Sequence, residues 1–341
     1  MVQVVLGSTG IVTCKNALGC LPLQRDSKED AVKLIRNAYQ NGFTFFDTAR
    51  AYSDSEEKLG EALHNVRDKI YIATKTMSTT AQGFWSDLET SLKTLRTTYV
   101  DIYQFHNPPF CPRPNDGTGL YEAMLEAKAQ GKIRHIGFTN HALKLALEAV
   151  ESGLYETLQF PFSYLADSKE CELVGLCKKR GVGFIAMKSL AGGLITNSAA
   201  AFAFAAQYEN VLPIWGIQRQ TELDEFISLQ KNPSAMTEQL AAVIAADRTA
   251  LAGSFCRGCG YCMPCPKQIE INNCARMSLL LRRAPSAAWL GEAWQKKMAL
   301  IPTCIHCNAC ASRCPYSLDT PTLLAQNYAD YTEVLAGRRK V

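Results

Sequence analysis

The chain has 341 residues, a formal net charge of +4 and 47% hydrophobic residues, enough for one large and one small domain around a substantial core. So small a charge, with no basic tract beyond Arg338-Arg339-Lys340, argues against nucleic-acid binding. The longest apolar run, at 199–206, ends at Gln207 and is too short to span a membrane.

Residues 2–6 and 11–13, joined by Gly7-Ser8-Thr9-Gly10, read as a hairpin. Short β-rich runs follow at 17–20, 44–47, 70–75, 100–106, 134–138, 157–160, 183–188 and 211–217. Helical patterns separate them at 28–40, 56–64, 85–95, 120–129, 143–151, 169–179 and 198–208, and another follows at 222–229. This alternation predicts a parallel sheet covered by helices. Length alone would also allow two α/β domains, but eight strands predict a closed (β/α)8 TIM barrel with the hairpin as a lid over its bottom. Near residue 235 the alternation stops. Stretches 236–251, 272–282, 287–299 and 320–337 read as helices. The expected organisation is a barrel over 1–234 and, because this second stretch holds two four-cysteine runs each ending in Cys-Pro, a small helical ferredoxin-like iron–sulfur module over 235–341.

Polar residues at C-terminal strand ends are candidates for chemistry in such a barrel. The second strand ends at Asp47 and leads to Tyr52, the third ends at Lys75, the fourth at His106, and the fifth at Thr139-Asn140. Singly, Asp47 reads as a helix cap, Tyr52 as a packed aromatic, Lys75 as a snorkelling side chain and His106 as a core histidine. Together they suit carbonyl reduction. Hydride attack leaves negative charge on oxygen, which needs a proton. A phenol is a weak acid, a neighbouring ammonium is expected to lower its pKa, an aspartate holds that ammonium, and a histidine orients the carbonyl.

Eight of the fourteen cysteines form two runs: Cys256, Cys259, Cys262 and Cys265 before Pro266, then Cys304, Cys307, Cys310 and Cys314 before Pro315. The second has bacterial ferredoxin spacing, and the first is one residue shorter before its Cys-Pro. The crossed rule for two [4Fe–4S] clusters groups Cys256, Cys259 and Cys262 with Cys314, and Cys304, Cys307 and Cys310 with Cys265. Zinc sites usually show two CxxC pairs instead. A disulfide framework suits small secreted domains, and the opening residues lack a secretory h-region. A reducing cytoplasm is expected. Cys14, Cys20, Cys171 and Cys177 read as core, with Cys20 and Cys111 also near strand ends. Cys274 has no spaced partner, and His306 is either a modulator of cluster potential or simply exposed.

These residues resemble the aldo-keto reductase family over residues 1 to about 230. Leu6-Gly7-Ser8-Thr9-Gly10 and Leu18-Gly19-Cys20 are similar to its opening, and Asp47-Thr48-Ala49 with Tyr52 is similar to its most specific motif. Glu57-Lys58-Leu59-Gly60-Glu61-Ala62-Leu63 follows in the expected place. The cysteine-rich tail resembles the subgroup with a C-terminal [4Fe–4S] module. The resemblance implies Tyr52 as general acid, Lys75 and Asp47 as its tuners, and His106 as the orienting group. It also implies NADPH or NADH at the barrel mouth. Thr139, Asn140 and Gln159 would hold the carboxamide, and Met187 would stand against the nicotinamide where the family often has tyrosine. Ser189, Leu190, Gly192 and Gly193 would form the pyrophosphate loop. The adenosine segment departs from the pattern: Trp215 replaces a usual proline, Glu222 a frequent arginine and Phe226 a frequent asparagine. Glu222 would repel a 2′-phosphate but accept from a ribose hydroxyl. Arg219 is either the compensating phosphate partner or a solvated charge at a helix start, and NADPH is placed ahead of NADH.

The function expected is hydride transfer between NAD(P)H and a small-molecule carbonyl or alcohol by an oxidoreductase with two [4Fe–4S] clusters. One alternative is iron–sulfur electron transfer with a ferredoxin-like carrier and non-nicotinamide chemistry in the barrel. Another is a non-catalytic sensor or binding subunit with structural clusters.

Overall fold

The computed structural model describes residues 2–233, 235–251, 255–283 and 286–340. Ser234, at the expected domain boundary, lies outside the described residues. β1 (Gln3–Val5) and β2 (Val12–Cys14) form an antiparallel hairpin. Eight parallel strands follow: β3 (Ala17–Gly19), β4 (Phe45–Asp47), β5 (Tyr71–Thr76), β6 (Val100–His106), β7 (Ile133–Thr139), β8 (Thr157–Pro161), β9 (Gly183–Met187) and β10 (Val211–Gly216). They close into a barrel in sequence order, with β10 bonded to both β9 and β3. One helix follows each strand in turn: α1 (Lys28–Gln40), α2 (Ser55–Leu63), α3 (Ala81–Thr94), α4 (Leu120–Ala129), α5 (Leu143–Ser152), α6 (Ser168–Arg180), α7 (Ser198–Ala206) and α8 (Gln220–Lys231). The expected (β/α)8 barrel is therefore the architecture observed.

Local chemistry sets the element ends. The Ser27 hydroxyl accepts the Asp30 N–H at the start of α1, and Asp167 with Glu170 forms a capping box on α6. Helix α3 begins four residues before the apolar pattern at 85–95, because Thr80 Oγ1 accepts the Gly83 N–H and fixes an earlier start. The hairpin closes the end where the strands begin. Val4, Leu6 and Ile11 pack with Phe45, Ile102 and Ile185 in one buried cluster. Gly7 makes this docking possible: its φ is +57°, and a Cβ there would fall 2.3 Å from the Gly183 nitrogen.

Two compact units are present, Met1–Ser189 with Ser198–Ala241, and Leu190–Asn197 with Ala242–Val341. Their division falls inside α9 (Glu238–Ala250). The second unit contains α10 (Ile271–Cys274), α11 (Met277–Arg283), α12 (Ser286–Leu290), α13 (Glu292–Met298), α14 (Ala309–Ser312) and α15 (Thr320–Leu335). The single helix expected at 272–282 is broken. Asn327 of α15 explains the break: its amide donates to the Ala275 carbonyl at 3.1 Å and its Oδ1 accepts the Ser278 N–H at 2.8 Å. Polar groups freed at the interruption are thus satisfied from outside the helix. The helix expected at 287–299 is split at Gly291, whose extended backbone starts α13. Asp330, also on α15, takes both arms of the Arg282 guanidinium at 2.6 and 2.9 Å.

Candidate active site and metal centres

Period-two alternation in β6 sends Ile102, Gln104 and His106 to one face, and Ile102 belongs to the barrel-interior cluster. Strands β4 and β5 bring Asp47 and Lys75 beside them. Lys75, fully buried, places its ammonium 2.6 Å from Asp47 Oδ1 and donates to the Thr48 carbonyl at 2.6 Å. The same ammonium lies 5.2 Å from the Tyr52 ring centre. Tyr52 and His106 meet edge to face, with ring centres 5.7 Å apart. The structure thus brings Asp47, Tyr52, Lys75 and His106 together. Cys20 is buried here too, and its N–H donates to the Asp47 carbonyl at 2.8 Å.

Burial dominates the electrostatics. It pulls the Lys75 ammonium below its ordinary range and pushes the Asp47 carboxyl above its own, while their mutual attraction opposes both shifts. The His106 imidazole is driven down to about 3 by burial and then by the Lys75 charge, so it is neutral at physiological pH. The Tyr52 phenol is raised, first by burial and then by Asp47 and Cys20. This corrects the expectation that Lys75 lowers it. Burial, the largest of these causes, governs the resting phenol.

Gln104 is not among the residues the sequence singles out, yet its amide donates to Gln159 Oε1 at 2.9 Å. Gly137 lets it cross β7, since a Cβ there would fall 2.7 Å from Gln104 Cγ. The available signal was a glutamine at an inward period-two position, one step below His106. Gln159 in turn directs its amide nitrogen toward Asp47 Oδ1 at 3.4 Å. Asp47 Oδ2, Gln104 Oε1 and His106 Nδ1 are buried without a hydrogen-bond partner among the described residues. Polar atoms of this kind fit a ligand rich in hydrogen-bonding groups, such as a carboxamide.

The other cofactor candidates lie on several elements. Thr139 ends β7, and Asn140 follows it with its amide already bonded to the Pro108 carbonyl at 3.0 Å and the Ala142 N–H at 2.8 Å. Met187 packs in the buried barrel cluster. Ser189 donates to the Ala186 carbonyl at 3.1 Å. Leu190, Gly192 and Gly193 group with the second unit. Arg219 is exposed at the start of α8, 2.5 Å from Glu222 Oε1, while Glu222 Oε2 accepts the Gln218 and Arg219 N–H groups. The unusual Trp215 and Phe226 are partners, stacked with ring centres 4.5 Å apart.

In the second unit, Cys265, Cys304, Cys307 and Cys310 line a hollow of about 380 Å³, counting space open to solvent. Ile269, Ile271, Pro321 and Leu324 supply apolar walls. A tetrahedral zinc would draw sulfurs to about 2.3 Å. Among the described residues no group of three or more His, Cys, Asp or Glu closes on a single ion. Four thiols around one hollow are the donor set that a multi-iron cluster takes. Burial raises the Cys262 thiol to about 12, and neighbouring Cys256, Cys259 and Cys314 contribute. Cys265, Cys304, Cys307 and Cys310 thus share one hollow. Cys274 is fully buried and His306 is exposed.

Comparison with known proteins agrees with both regions. Residues 16–201 match the Aldo/keto reductase family and residues 255–319 match a 4Fe-4S dicluster domain. L-galactose dehydrogenase of Arabidopsis thaliana is 30% identical over 56% of this chain, and "Probable aldo-keto reductase 1" of Glycine max is 29% identical over 56%. The matches span only 66% and 60% of those proteins' own lengths. An aldo-keto reductase from Bacillus halodurans in its holo form superposes with a TM-score of 0.64 at 19% identity, covering 72% of this chain and 96% of that one. One from Klebsiella pneumoniae in complex with NADPH gives 0.61 at 20% identity, covering 72% and 95%. No helix among the described residues is long and apolar enough to cross a membrane.

Proposed function

The chain belongs to the aldo/keto reductase family and carries a 4Fe-4S dicluster domain, and from that premise we propose that it is an oxidoreductase transferring hydride between NADPH or NADH and a small-molecule carbonyl or alcohol. The observation that carries this reading is the buried Asp47–Lys75 pair at 2.6 Å, set against the Tyr52 ring and His106. The nicotinamide would supply the hydride. Tyr52, kept protonated by burial, donates its phenolic proton to the developing alkoxide. Lys75 stabilises the phenolate left behind, and Asp47 holds Lys75 in place and charged. His106, neutral at physiological pH, orients the carbonyl through a ring N–H.

Thr139, Asn140, Gln159, Met187, Ser189, Leu190, Gly192, Gly193 and Arg219 are the residues proposed to hold the dinucleotide. Gln159 is preset by Gln104, whereas Asn140 must leave Pro108 and Ala142 to reach a ligand. Arg219 must leave Glu222 to meet a 2′-phosphate. We place NADPH ahead of NADH on that condition. The eight cysteines are proposed to hold two [4Fe–4S] clusters in the crossed arrangement, which would supply one-electron chemistry. A ferredoxin-like carrier is the proposed partner, and the cytoplasm the proposed compartment.

A second reading draws on the Trp215–Phe226 stack and the Arg219–Glu222 pair. Both occupy the segment expected to take the adenosine end, and in this reading the barrel works without nicotinamide. Anaerobic calorimetric titration of the iron-reconstituted protein with NADPH and with NADH separates the two. Heat with either supports hydride transfer, and no heat with both overturns it. Tyr52→Phe should then lower carbonyl turnover by about 10²- to 10⁴-fold with cofactor affinity unchanged. A variant as fast as the parent removes Tyr52 from the chemistry.

A further inference from the structure

Arg276 lies between α10 and α11 and is only 8% exposed. Its Nη1 donates to the Gly192 carbonyl at 3.0 Å, and its Nη2 reaches Asn273 Oδ1 at 3.3 Å. Two glycines of positive φ make room for this guanidinium. A Cβ on Gly192 would fall 2.8 Å from Nη1, and one on Gly258 would fall 2.6 Å from Cζ. Gly258 stands between Cys256 and Cys259, and its N–H donates to Cys256 Sγ at 3.4 Å. One permanently charged side chain therefore touches the backbone of the first cysteine run and the Leu190–Asn197 loop together.

We infer that Arg276 is a positioning residue that sets the reduction potential of the cluster at Cys256, Cys259, Cys262 and Cys314, and couples that cluster's oxidation state to the Leu190–Asn197 loop. The inference rests on the cluster assignment proposed above. Cluster potential follows local net charge and hydrogen bonding to the sulfurs. One-electron reduction adds a negative charge, which a nearby guanidinium favours. The same charge draws the guanidinium toward the cluster and weakens its bond to the Gly192 carbonyl. Reduction should therefore loosen residues 190–197.

The test is a potentiometric titration of the reconstituted protein with dithionite and mediators, followed by electron paramagnetic resonance. Hydrogen exchange of residues 190–197 is measured in the oxidised and reduced states. Arg276→Gln should make reduction of one cluster about tenfold less favourable, a fall of about 59 mV for one electron, and leave the other unmoved. Arg276→Lys keeps the charge and should stay near the parent potential. Exchange in 190–197 should rise on reduction of the parent and be fast in both states of Arg276→Gln. Parent-like potentials in a fully loaded Arg276→Gln overturn the tuning role, and exchange that ignores reduction in the parent overturns the coupling. Should Arg276→Gln fail to take up iron, Gly192→Ala decides, since it keeps the charge but displaces Nη1 from the carbonyl. It should shift one midpoint and abolish the redox dependence of exchange, and parent-like behaviour in both overturns the inference. A parent that shows no two cluster signals sinks the cluster assignment itself, a failure distinct from an unmoved potential.

Discussion

Each barrel strand is hydrogen-bonded along both edges in a closed ladder, whereas the helices between Ile271 and Ser312 run only four to seven residues each. Isolated helices that short are marginal in water. Polar staples from α15, such as Asn327 and Asp330, help to hold them. The barrel positions the Asp47–Lys75 pair by backbone register alone, because neighbouring strands fix where each side chain emerges. The cysteine-rich unit has no such ladder among its described residues, and metal ligation is the natural source of its remaining order. A fold that can be completed by strands needs no cofactor to hold its site, and one built from single turns does.

The strongest way to break this contrast is to remove iron. Chelation under oxidising conditions should make residues 255–319 protease-sensitive while residues 2–233 survive as a resistant fragment. Equal protection of both regions would show that the second unit orders itself. Asp330→Asn comes next. Burial acts to raise the Asp330 carboxyl, but its bonds to Arg282, Ser278 and Arg339 win and hold it well below the usual range. Weakening a charged hydrogen-bond pair of this kind costs about 2 kcal/mol. Thermal unfolding should show the loss in the second unit, with the barrel transition unmoved. In the barrel, Gly137→Ala overpacks the crossing point of Gln104 and should cost about 1 to 2 kcal/mol. Two-probe denaturation should show this loss without change at the clusters.

The smallest effect concerns acid. Burial acts to raise the Glu156 carboxyl, but His135, Lys128 and the Ile136 N–H lower it to about 2. A folded pKa below the unfolded one means that its contribution is fully present above about 4.5 and is lost as pH falls through about 2. For this partly exposed group it amounts to about 1 kcal/mol after screening. Substituting Glu156→Gln should flatten that part of the stability curve. His106, at about 3, should add no inflection near 6.5 to a pH–rate profile. An inflection there that vanishes in His106→Asn would mean that the imidazole is better solvated than its burial implies.

Much of the fold was legible because it is local. Alternating apolar runs placed eight strands and their helices with small errors at the ends, and Thr80 shows why those errors arise: a cap five residues before the apolar period outweighs it. Asp47, Lys75 and His106 were visible because a parallel barrel presents its strand ends on one rim, so position in the strand is position in the site. Gln104 was not, since it needs the missing Cβ of Gly137, on the neighbouring strand. The break near Ala275 was equally hidden, because its cause, Asn327, is 52 residues away.

By itself the sequence determined the strand count, the rim residues and the cysteine spacing, all properties of period and separation along the chain. The tertiary structure decided which charges answer each other. It set Lys75 on Asp47 and Thr48 and left the Tyr52 phenol raised. It closed Glu222 on Arg219, stacked Trp215 on Phe226, and placed Arg276 against both Gly192 and Gly258. Burial and Coulomb energies depend on distance through space, and no periodicity in a sequence encodes that distance.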